Sequence, residues 1–402
     1  MAGDTSKVLG RFKGLNNVND PMRGPVADQY GRRDSWEWQS VADNIDITDA
    51  SSVVLRKGYT SFLVGTDITA SYSTAAHTHL FIIDNGVLKK VFEDGSVLNL
   101  ATGLEGTAYW TEINSTVYLS CGVSKYQIDF SGEIAVWGVP TPSSPNLALT
   151  SGHLYAGSYQ VCVTYSDSFG REGGASLSVL ITLPAEGGIS ITDIPTLSGY
   201  AANVYVTDMD GTVFYLATSL NGQTALVINY PVLGRELTTD DFDVPPDNST
   251  YMAPLNAILY VAEYFPSENQ TVFWATAPMG YHLFNYNSDY FILPGEVTQV
   301  FGANIGLVIT THLRIYVYDN EKIVQVAEYG AVPGQHADLG ADGKVYFWTK
   351  RGLCKAAPFE NLTESNVSVA PGTYAGGGVI NMGGYQKYIA VIKQGGDAYN
   401  RR

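Results

Sequence analysis

The stretch that decides the fold is HLFIIDNGVLKKVFEDGSVLNLA, residues 79–101. Apolar and polar residues alternate in it, and the dipeptides Asn85-Gly86 and Asp94-Gly95 interrupt the alternation, which is the pattern of β-hairpins. The next stretch, TAYWTEINSTVYLSCGVSKYQIDFSGEIAVWGV at 107–139, repeats the pattern, with turns at Asn114-Ser115 and Ser131-Gly132. A turn about every ten residues is typical of a β-sandwich or a β-propeller and not of βαβ units.

The composition also favours an all-β protein. Only 15% of the 402 residues are charged, whereas Tyr (27) and Gly (42) are abundant. The formal net charge of −16 argues against a surface that grips phosphates, since that affinity comes from Lys and Arg. An acidic wall is nevertheless compatible with DNA that passes without sticking. No apolar run approaches the about 20 residues of a spanning helix, and the N-terminus has no apolar signal region, so we expect no membrane insertion.

Two proline-containing segments divide the chain. Pro140, Pro142 and Pro145 form the first, and Pro245-Pro246 the second. Between them, residues 142–248 contain longer alternating strands and resemble an inserted fibronectin type III or Ig-like β-sandwich. Residues 52–141 and 249–402 share a pattern of short strands, which predicts a β-propeller of about five to six blades at ~40–45 residues per blade. The glycine-rich stretch at 373–386, TYAGGGVINMGGYQ, is predicted to form tight turns near the propeller closure.

Residues 1–51 are predicted to be an N-terminal arm and a first strand. The stretch FKGLNNVNDPMRG at 12–24 is a loop by composition, rich in Asn, Asp, Gly and Pro. Such an arm has no core of its own, so it lies either along a neighbouring subunit or on its own propeller.

Three short motifs resemble the β-propeller tail proteins of tailed bacteriophages, especially those that form the tail tip or nozzle of short-tailed phages. They are FKGLNNVNDP at 12–21, ADNIDITDASSVVLRKGY at 42–59 and EYGAVPGQ at 328–335, and FWTKRGL at 347–353 adds to them. The chain departs from the family pattern at Asn19, Ser51 and Val53, where an acidic residue, a glycine and a leucine are usual.

The resemblance implies a structural virion protein that forms a homo-oligomeric ring, a hexamer in the family, at the tail tip or head–tail junction. It also implies assembly in the host cytoplasm, contacts with a tail adaptor or head-completion protein and other tail proteins, and DNA only as passing cargo. In the resembling assemblies, N-terminal arms tie subunits together. The arm residues expected to bind a partner are Arg11, Phe12, Lys13, Leu15, Asn16, Asp20 and Arg23.

No motif supports an enzyme or a cofactor, and we expect no catalytic, metal or cofactor site. His77 and His79 form an H-x-H pair without further ligands at metal-binding spacing. The DMDG sequence at 208–211 lacks the closing Glu of a calcium loop and is better explained as a type I′ hairpin turn. ADGKVYFW at 341–348 lacks the Asp-x-Gly spacing of sialidase Asp boxes. The three cysteines, Cys121, Cys162 and Cys354, have no paired spacing and are predicted to be buried and inert.

The alternative function is a non-catalytic propeller module that binds a glycan or receptor on the host surface. The segment WATAPMGYHLFNYNSDYF at 274–291 would supply Trp274, Tyr281 and Tyr290 to stack on sugar faces. The competing interpretation is that these aromatic residues belong to the core and loops of one blade.

Overall fold

The computed structural model describes residues 11–15, 36–39, 45–47, 53–55, 63–335 except 77 and 233, and 344–393 except 357, 366, 368, 383 and 384. Within these ranges every regular element is a β-strand, which confirms the predicted all-β class. The same ranges contain no helix long and apolar enough to cross a membrane. The chain divides into two compact units, one of residues 65–296 and the other of residues 1–64 with 297–402.

Four short strands lie before residue 63. β1 (Arg11–Leu15) pairs in parallel with β2 (Trp36–Gln39), and β3 (Ile45–Ile47) pairs antiparallel with β4 (Val53–Leu55). The prediction of a loop is therefore wrong for residues 12–15, because a strand further along the chain satisfies their backbone. The boundary predicted after residue 51 falls in the connection between β3 and β4.

Two antiparallel meanders of four strands begin the unit of residues 65–296, and each has the strand order of a propeller blade. The first contains β5 (Ile68–Ser73), β6 (Leu80–Asp84), β7 (Val87–Val91) and β8 (Val97–Thr102). The second contains β9 (Ala108–Ile113), β10 (Thr116–Cys121), β11 (Ser124–Ile128) and β12 (Ile134–Val136).

The hairpins predicted at Asn85-Gly86 and Asn114-Ser115 are confirmed. Both residues of each dipeptide have positive φ, 52° and 70° in the first and 51° and 62° in the second, as type I′ turns require. The two meanders pack on one another through a shared apolar core, which includes Phe81, Ile83, Leu88, Val117, Leu119 and Ile128.

Seven strands follow, all inside the range 142–248, and we call this region the insert. They are β13 (Asn146–Leu154), β14 (Gly157–Asp167), β15 (Val179–Leu183), β16 (Gly187–Thr192), β17 (Tyr200–Thr207), β18 (Phe214–Leu220) and β19 (Leu226–Ile228). They form a three-stranded sheet, β13-β16-β19, and a four-stranded sheet, β15-β14-β17-β18. Side chains of both sheets meet in one core, among them Leu154, Val161, Ile189 and Val204.

The connectivity of the insert differs from that of an immunoglobulin constant domain. There the first strand pairs with the second, whereas here β13 pairs with β16, and β14 lies in the other sheet. The proposed kinship with fibronectin or Ig-like domains therefore stays a prediction. The chain enters the insert next to the place where it leaves it. The backbone at Gly138 lies so close to Pro245 that a Cβ atom on this glycine would be 2.5 Å from Pro245 Cδ.

A five-stranded sheet completes this unit. It contains β20 (Ser249–Leu255), β21 (Ile258–Phe265), β22 (Gln270–Ala277), β23 (Gly280–Phe284) and β24 (Tyr290–Pro294), and both β23 and β24 pair with β22. Its core cluster joins it to the second meander: Met252, Val261 and Phe284 pack with Ile113, Tyr118 and Trp137.

The other unit contains one more four-stranded meander, formed by β25 (Val297–Ala303), β26 (Gly306–Thr311), β27 (Ile315–Tyr318) and β28 (Ile323–Ala327). A short strand, β29 (Gly334–Gln335), precedes a three-stranded meander of β30 (Val345–Thr349), β31 (Gly352–Ala356) and β32 (Glu360–Asn361). The two meanders share a core that includes Phe301, Val308, Ile315, Phe347 and Cys354. The number of blades stays a prediction.

The glycine-rich stretch at 373–386 forms strands, contrary to the prediction. β33 (Tyr374–Met382) and β34 (Tyr385–Lys393) form a long hairpin, where we predicted tight turns. A Cβ on Gly377 would collide with the Tyr388 hydroxyl, so the glycine makes room for a neighbouring ring. At Gly377, therefore, the absence of a side chain permits the close approach of two strands.

Candidate interaction surfaces

The last strands of three sheets expose apolar side chains. On β8, Val97 and Leu98 are 44% and 50% exposed, and on β28, Ile323 and Val324 are 36% and 44% exposed. β24 exposes Tyr290 and Ile292. Each of these strands has a single hydrogen-bonded neighbour among the described strands. We call β8, β24 and β28 the outer strands; they combine an open backbone edge with apolar side chains, which is a surface suited to a protein partner.

One face of the five-stranded sheet carries a denser cluster, which we call the Trp274 face. Strand pairing places Trp274 beside Tyr290 and Val272 beside Ile292. The rings of Trp274 and Tyr290 are 5.3 Å apart. The indole Nε1 of Trp274 donates a 3.0 Å hydrogen bond to Glu263 Oε2, which fixes the ring orientation and leaves a carboxylate at its edge. Aromatic faces beside a hydrogen-bonding carboxylate are suited to amphipathic ligands.

The three aromatic residues expected to bind sugars do not share this face. Tyr281 packs against Tyr118, with ring centroids 6.1 Å apart, at the core between two sheets. Its backbone carbonyl accepts a 2.8 Å hydrogen bond from Trp137 Nε1. Tyr281 and Trp274 both pack against the core that contains Met252, Val261 and Phe284, so the interpretation as core aromatic residues holds for these two. Tyr290 is exposed and lies beside Trp274.

The arm residues are only partly within the described ranges. Arg11, Phe12, Lys13 and Leu15 lie in β1, on a strand paired with residues 36–39 of the same chain. Asn16, Asp20 and Arg23 lie outside the described residues. Because β2 also belongs to the predicted arm, residues 1–51, this pairing does not distinguish an arm on a neighbouring subunit from an arm on its own propeller.

His79 and the sequence at 208–211, both considered above as metal sites, make local contacts within the chain. His79 Nδ1 is 2.9 Å from Thr78 Oγ1, and burial lowers the pKa of the imidazole, whereas His77 lies outside the described residues. At 208–211, Gly211 N donates to Asp208 O, and φ is positive at Asp210 but not at Met209. The predicted type I′ turn is therefore wrong, since that turn needs positive φ at both central residues. The described residues contain no group of three metal-ligating side chains.

Buried charges that we did not single out from the sequence hold the insert in place. Arg171 is bound to Asp167 through Nε at 2.7 Å, and its Nη1 donates a 2.5 Å hydrogen bond to Gln127 Oε1 of β11. A further donor, Nη2, reaches Val136 O at 3.2 Å. The guanidinium of Arg171 thus connects the insert to the neighbouring meander by hydrogen bonds. A planar, always charged guanidinium can donate several such bonds at once.

The adjacent residue, Glu172, is a hub within the insert. Its Oε1 accepts 2.8 Å hydrogen bonds from Asn203 Nδ2 and Tyr205 OH and another from Thr164 Oγ1, while Oε2 accepts from Arg235 Nη2 at 2.7 Å. Burial, followed by the hydrogen bond to this carboxylate, raises the pKa of Tyr205. The available sequence signal was the run FGREGG at 169–174, a charged pair among glycines between apolar strands.

Two further buried groups lie where the insert meets its neighbours. Lys125 Nζ donates to Gly122 O and, at 2.7 Å, to Asp247 O, and burial lowers the pKa of this lysine to about 8. His282 Nε2 lies 3.2 Å from Glu172 O, and burial, followed by the positive charge of Arg171, lowers the pKa of its imidazole. Both groups are therefore held in places that disfavour their charged forms.

The prediction that the three cysteines are buried is confirmed. Cys121, Cys162 and Cys354 are free and buried, and burial raises the pKa of the Cys162 thiol to about 12.

No protein-family model and no curated protein matches this chain. Among solved structures, a gluconolactonase from Xanthomonas campestris is 14% identical, covering 72% of this chain and 85% of that chain, with a TM-score of 0.27. BamB from Moraxella catarrhalis is 14% identical over 77% and 89% of the two chains, with a TM-score of 0.26. Sqt1 from Saccharomyces cerevisiae is 12% identical over 76% and 83%, with a TM-score of 0.25. These TM-scores mark a likeness too distant to bear on the function of this chain.

Proposed function

We propose that this protein is a non-catalytic structural component of a bacteriophage tail, in which copies assemble into a ring around the path of the DNA. The structural observation that supports assembly is the apolar outer strands. An open strand edge with exposed Val, Ile and Leu promotes aggregation of a monomeric protein. A partner that covers the edge prevents this aggregation. The resemblance at residues 12–21, 42–59 and 328–335 supplies the virion context.

The chemistry of the outer strands suits a protein partner. Ile323, Val324 and Val326 on β28 are all at least 36% exposed, and they lie between Lys322, which precedes them, and Glu328, which follows. Burial of such side chains contributes about 25 cal/mol per Å² of apolar surface. Charges of opposite sign at the two ends restrict which partner fits. The net charge of −16 is compatible with a conduit that DNA traverses without binding.

The test measures assembly of the full chain. Mass photometry and negative-stain electron microscopy are expected to show a ring, a hexamer if the resemblance holds, alone or with the tail adaptor. One substitution is made on each outer strand: Val97→Lys on β8, Ile292→Lys on β24 and Val324→Lys on β28. Each is expected to weaken assembly if its strand lies in the interface. Val213→Lys, an exposed site before β18, is the matched control. A chain that stays monomeric at high concentration and with tail components would contradict the proposal.

The Trp274 face favours a second candidate function, binding of a host-surface glycan or receptor. Sugar rings stack on aromatic faces, and the Glu263 carboxylate beside Trp274 accepts hydrogen bonds from hydroxyl groups. Saturation-transfer NMR with a panel of bacterial surface saccharides tests it. Trp274→Ala and Tyr290→Ala are expected to abolish the signal and Tyr264→Phe to leave it unchanged. No binding by any saccharide would leave assembly as the only proposed role.

A further inference from the structure

A cavity of about 260 Å³ opens at one end of the insert, between its two sheets. Leu154 of β13 and Ile228 of β19 line it from one sheet, and Tyr159 of β14 and Val206 of β17 line it from the other. These four side chains are at most 5% exposed, so the floor of the cavity is apolar. The volume lies below the roughly 300–1,000 Å³ of sites for drug-sized ligands, which suits a single ring or side chain.

The rim of this cavity is held in shape by the turn between β17 and β18. Asp210 N donates to Ser158 O at 2.8 Å, and Ser158 N donates to Asp210 Oδ1 at 2.9 Å, so the turn is fastened to β14. The missing side chain of Gly157 leaves the space that Met209 fills at the rim. Met209 is 47% exposed and Tyr155 65% exposed, and a thioether beside an aromatic ring forms an adaptable apolar mouth.

The polar side chains of the described lining residues are one carboxylate and the three hydroxyl groups of Tyr155, Tyr159 and Thr207. Asp208 lines the cavity, and the described lining residues include no Lys, Arg or His. The carbonyl of Tyr155, which accepts a 3.0 Å hydrogen bond from Tyr159 OH, keeps a second lone pair. Burial is the largest cause of the raised pKa of Tyr159, and the negative charges of Asp208 and Asp210 are the next. The negative potential of these carboxylates therefore reaches the cavity wall.

We propose that this cavity binds a compact apolar ring with a positive charge next to it, as in an arylalkylammonium group. The ring enters between Leu154, Val206 and Ile228, and the cation remains at the mouth beside Asp208. The same chemistry occurs in a free aromatic amine and in an aromatic side chain flanked by Lys or Arg on a partner polypeptide. This site is independent of the outer strands and of the proposed role in a phage tail.

The experiment uses the full chain and saturation-transfer NMR with two pairs of probes. Phenethylamine is compared with 3-phenylpropionate, which has a similar ring and the opposite charge. The capped peptide RFKGL, the sequence of residues 11–15, is compared with EFEGL. We expect binding of the cationic member of at least one pair, with transfer strongest to the ring protons. Binding of phenethylamine alone assigns a small-molecule ligand, and binding of the peptide alone assigns a polypeptide partner.

Three variants locate the site. Asp208→Asn is expected to weaken binding about two- to fivefold, as for loss of an exposed ion pair. Val232→Trp, which fills the cavity from its rim, is expected to abolish binding. Asp241→Asn, at an exposed aspartate of the insert that does not line the cavity, is expected to change nothing. Asp208→Asn alters only an exposed side chain, so the charge test stands even if Val232→Trp fails to fold.

Equal binding of the anionic probes, binding unchanged in Asp208→Asn, or no binding of either cationic probe would overturn the proposal.

Discussion

Arg171 of the insert donates a 2.5 Å hydrogen bond through Nη1 to Oε1 of Gln127 in β11. The same guanidinium pairs with Asp167, and both side chains are largely buried. The insert is thus fastened to the neighbouring meander by a charge that has little access to water. Removing one partner of such a pair is costly, because the other is left uncompensated.

Arg171→Met is therefore expected to lower the free energy of unfolding of the unit of residues 65–296 by about 3 kcal/mol. Urea denaturation followed by tryptophan fluorescence measures it. Arg351→Met is the control, since Arg351 forms an exposed pair with Glu364, worth about 0–1 kcal/mol. A double-mutant cycle with Gln127→Ala isolates the contact between the insert and the meander. Similar losses for both arginine variants would show that Arg171 has no special anchoring role.

Excision of residues 142–244, with a short Gly/Ser linker in their place, is expected to leave a folded β protein. The ends to be joined are close, as Gly138 and Pro245 show, and the insert has its own core. The melting temperature should fall, because Arg171 and Glu172 no longer contact β11, β12 and His282. Circular dichroism and calorimetry measure both expectations. An insoluble product, or one without cooperative melting, would mean that the sheets depend on the insert to fold.

Stability is expected to rise with pH above about 8 because of Lys125. Its pKa is about 8 in the folded chain against 10.5 when unperturbed, so between these values the unfolded chain binds more protons. The free energy of unfolding therefore increases with pH, by at most about 1.4 kcal/mol per pH unit. Above about pH 9 the trend is opposed, since burial raises the pKa of the Cys162 thiol from 9.0 to about 12 and, at still higher pH, that of Tyr118 to about 12. Denaturation at about pH 7.5, 8.2 and 9.0 tests this, below the range in which the thiols titrate in the unfolded chain. Lys125→Met should remove the rise, and Lys322→Met, at an exposed site, should keep it.

On the acid side, His282 is expected to contribute a loss of stability as the pH falls through about 6.5. Its pKa is lowered in the folded chain by burial and then by Arg171, so the unfolded chain takes up a proton first. His282→Gln retains an amide donor toward Glu172 O and removes the titration. Its melting temperature should therefore fall less than that of the parent between pH 7 and pH 5. An unchanged acid profile would assign the loss to other groups, and His312→Gln serves as an exposed control.

Deletion of residues 1–24 is expected to abolish ring assembly while changing the melting temperature of the monomer only slightly. The described part of the deleted stretch is β1, one strand of a two-stranded sheet, and the polar composition of the stretch offers little apolar surface for burial. Mass photometry and calorimetry separate the two effects. A variant with Lys7, Arg11, Lys13 and Arg23 changed to Gln keeps the chain length and tests whether assembly depends on charge, as does a salt series. Assembly that survives deletion would mean that the arm only lies on its own subunit.

Local chemistry made much of this fold predictable. Asn-Gly and Asn-Ser dipeptides specify type I′ turns through the backbone alone, so the hairpins at 85–86 and 114–115 followed directly. The parallel pairing of β1 with β2 could not be predicted in this way, because the partner strand is remote in sequence and leaves no periodic signal near Arg11. The hairpin of β33 and β34 was missed since glycine usually weakens strands, and only the position of the Tyr388 ring explains Gly377.

The interaction surfaces were harder to predict than the strands. Trp274 and Tyr290 were chosen from the sequence, but the separation of Tyr281 from them depends on its packing against Tyr118. Arg171 and Glu172 would be assigned to the surface by residue type, and their burial becomes visible only with their partners. The cavity at the end of the insert is lined by residues of four strands, β13, β14, β17 and β19, and of their loops, which no short sequence pattern brings together.

The three buried thiols give the folded chain its own reporters of local opening. A maleimide or aromatic disulfide reagent reacts only with a thiolate that solvent can reach, so each cysteine is silent until its surroundings open. Cys121 lies in the second meander, Cys162 in the insert and Cys354 in the meander of β30 to β32. Their separate labelling rates, resolved by peptide mass spectrometry, would report how often each region opens without any probe being introduced.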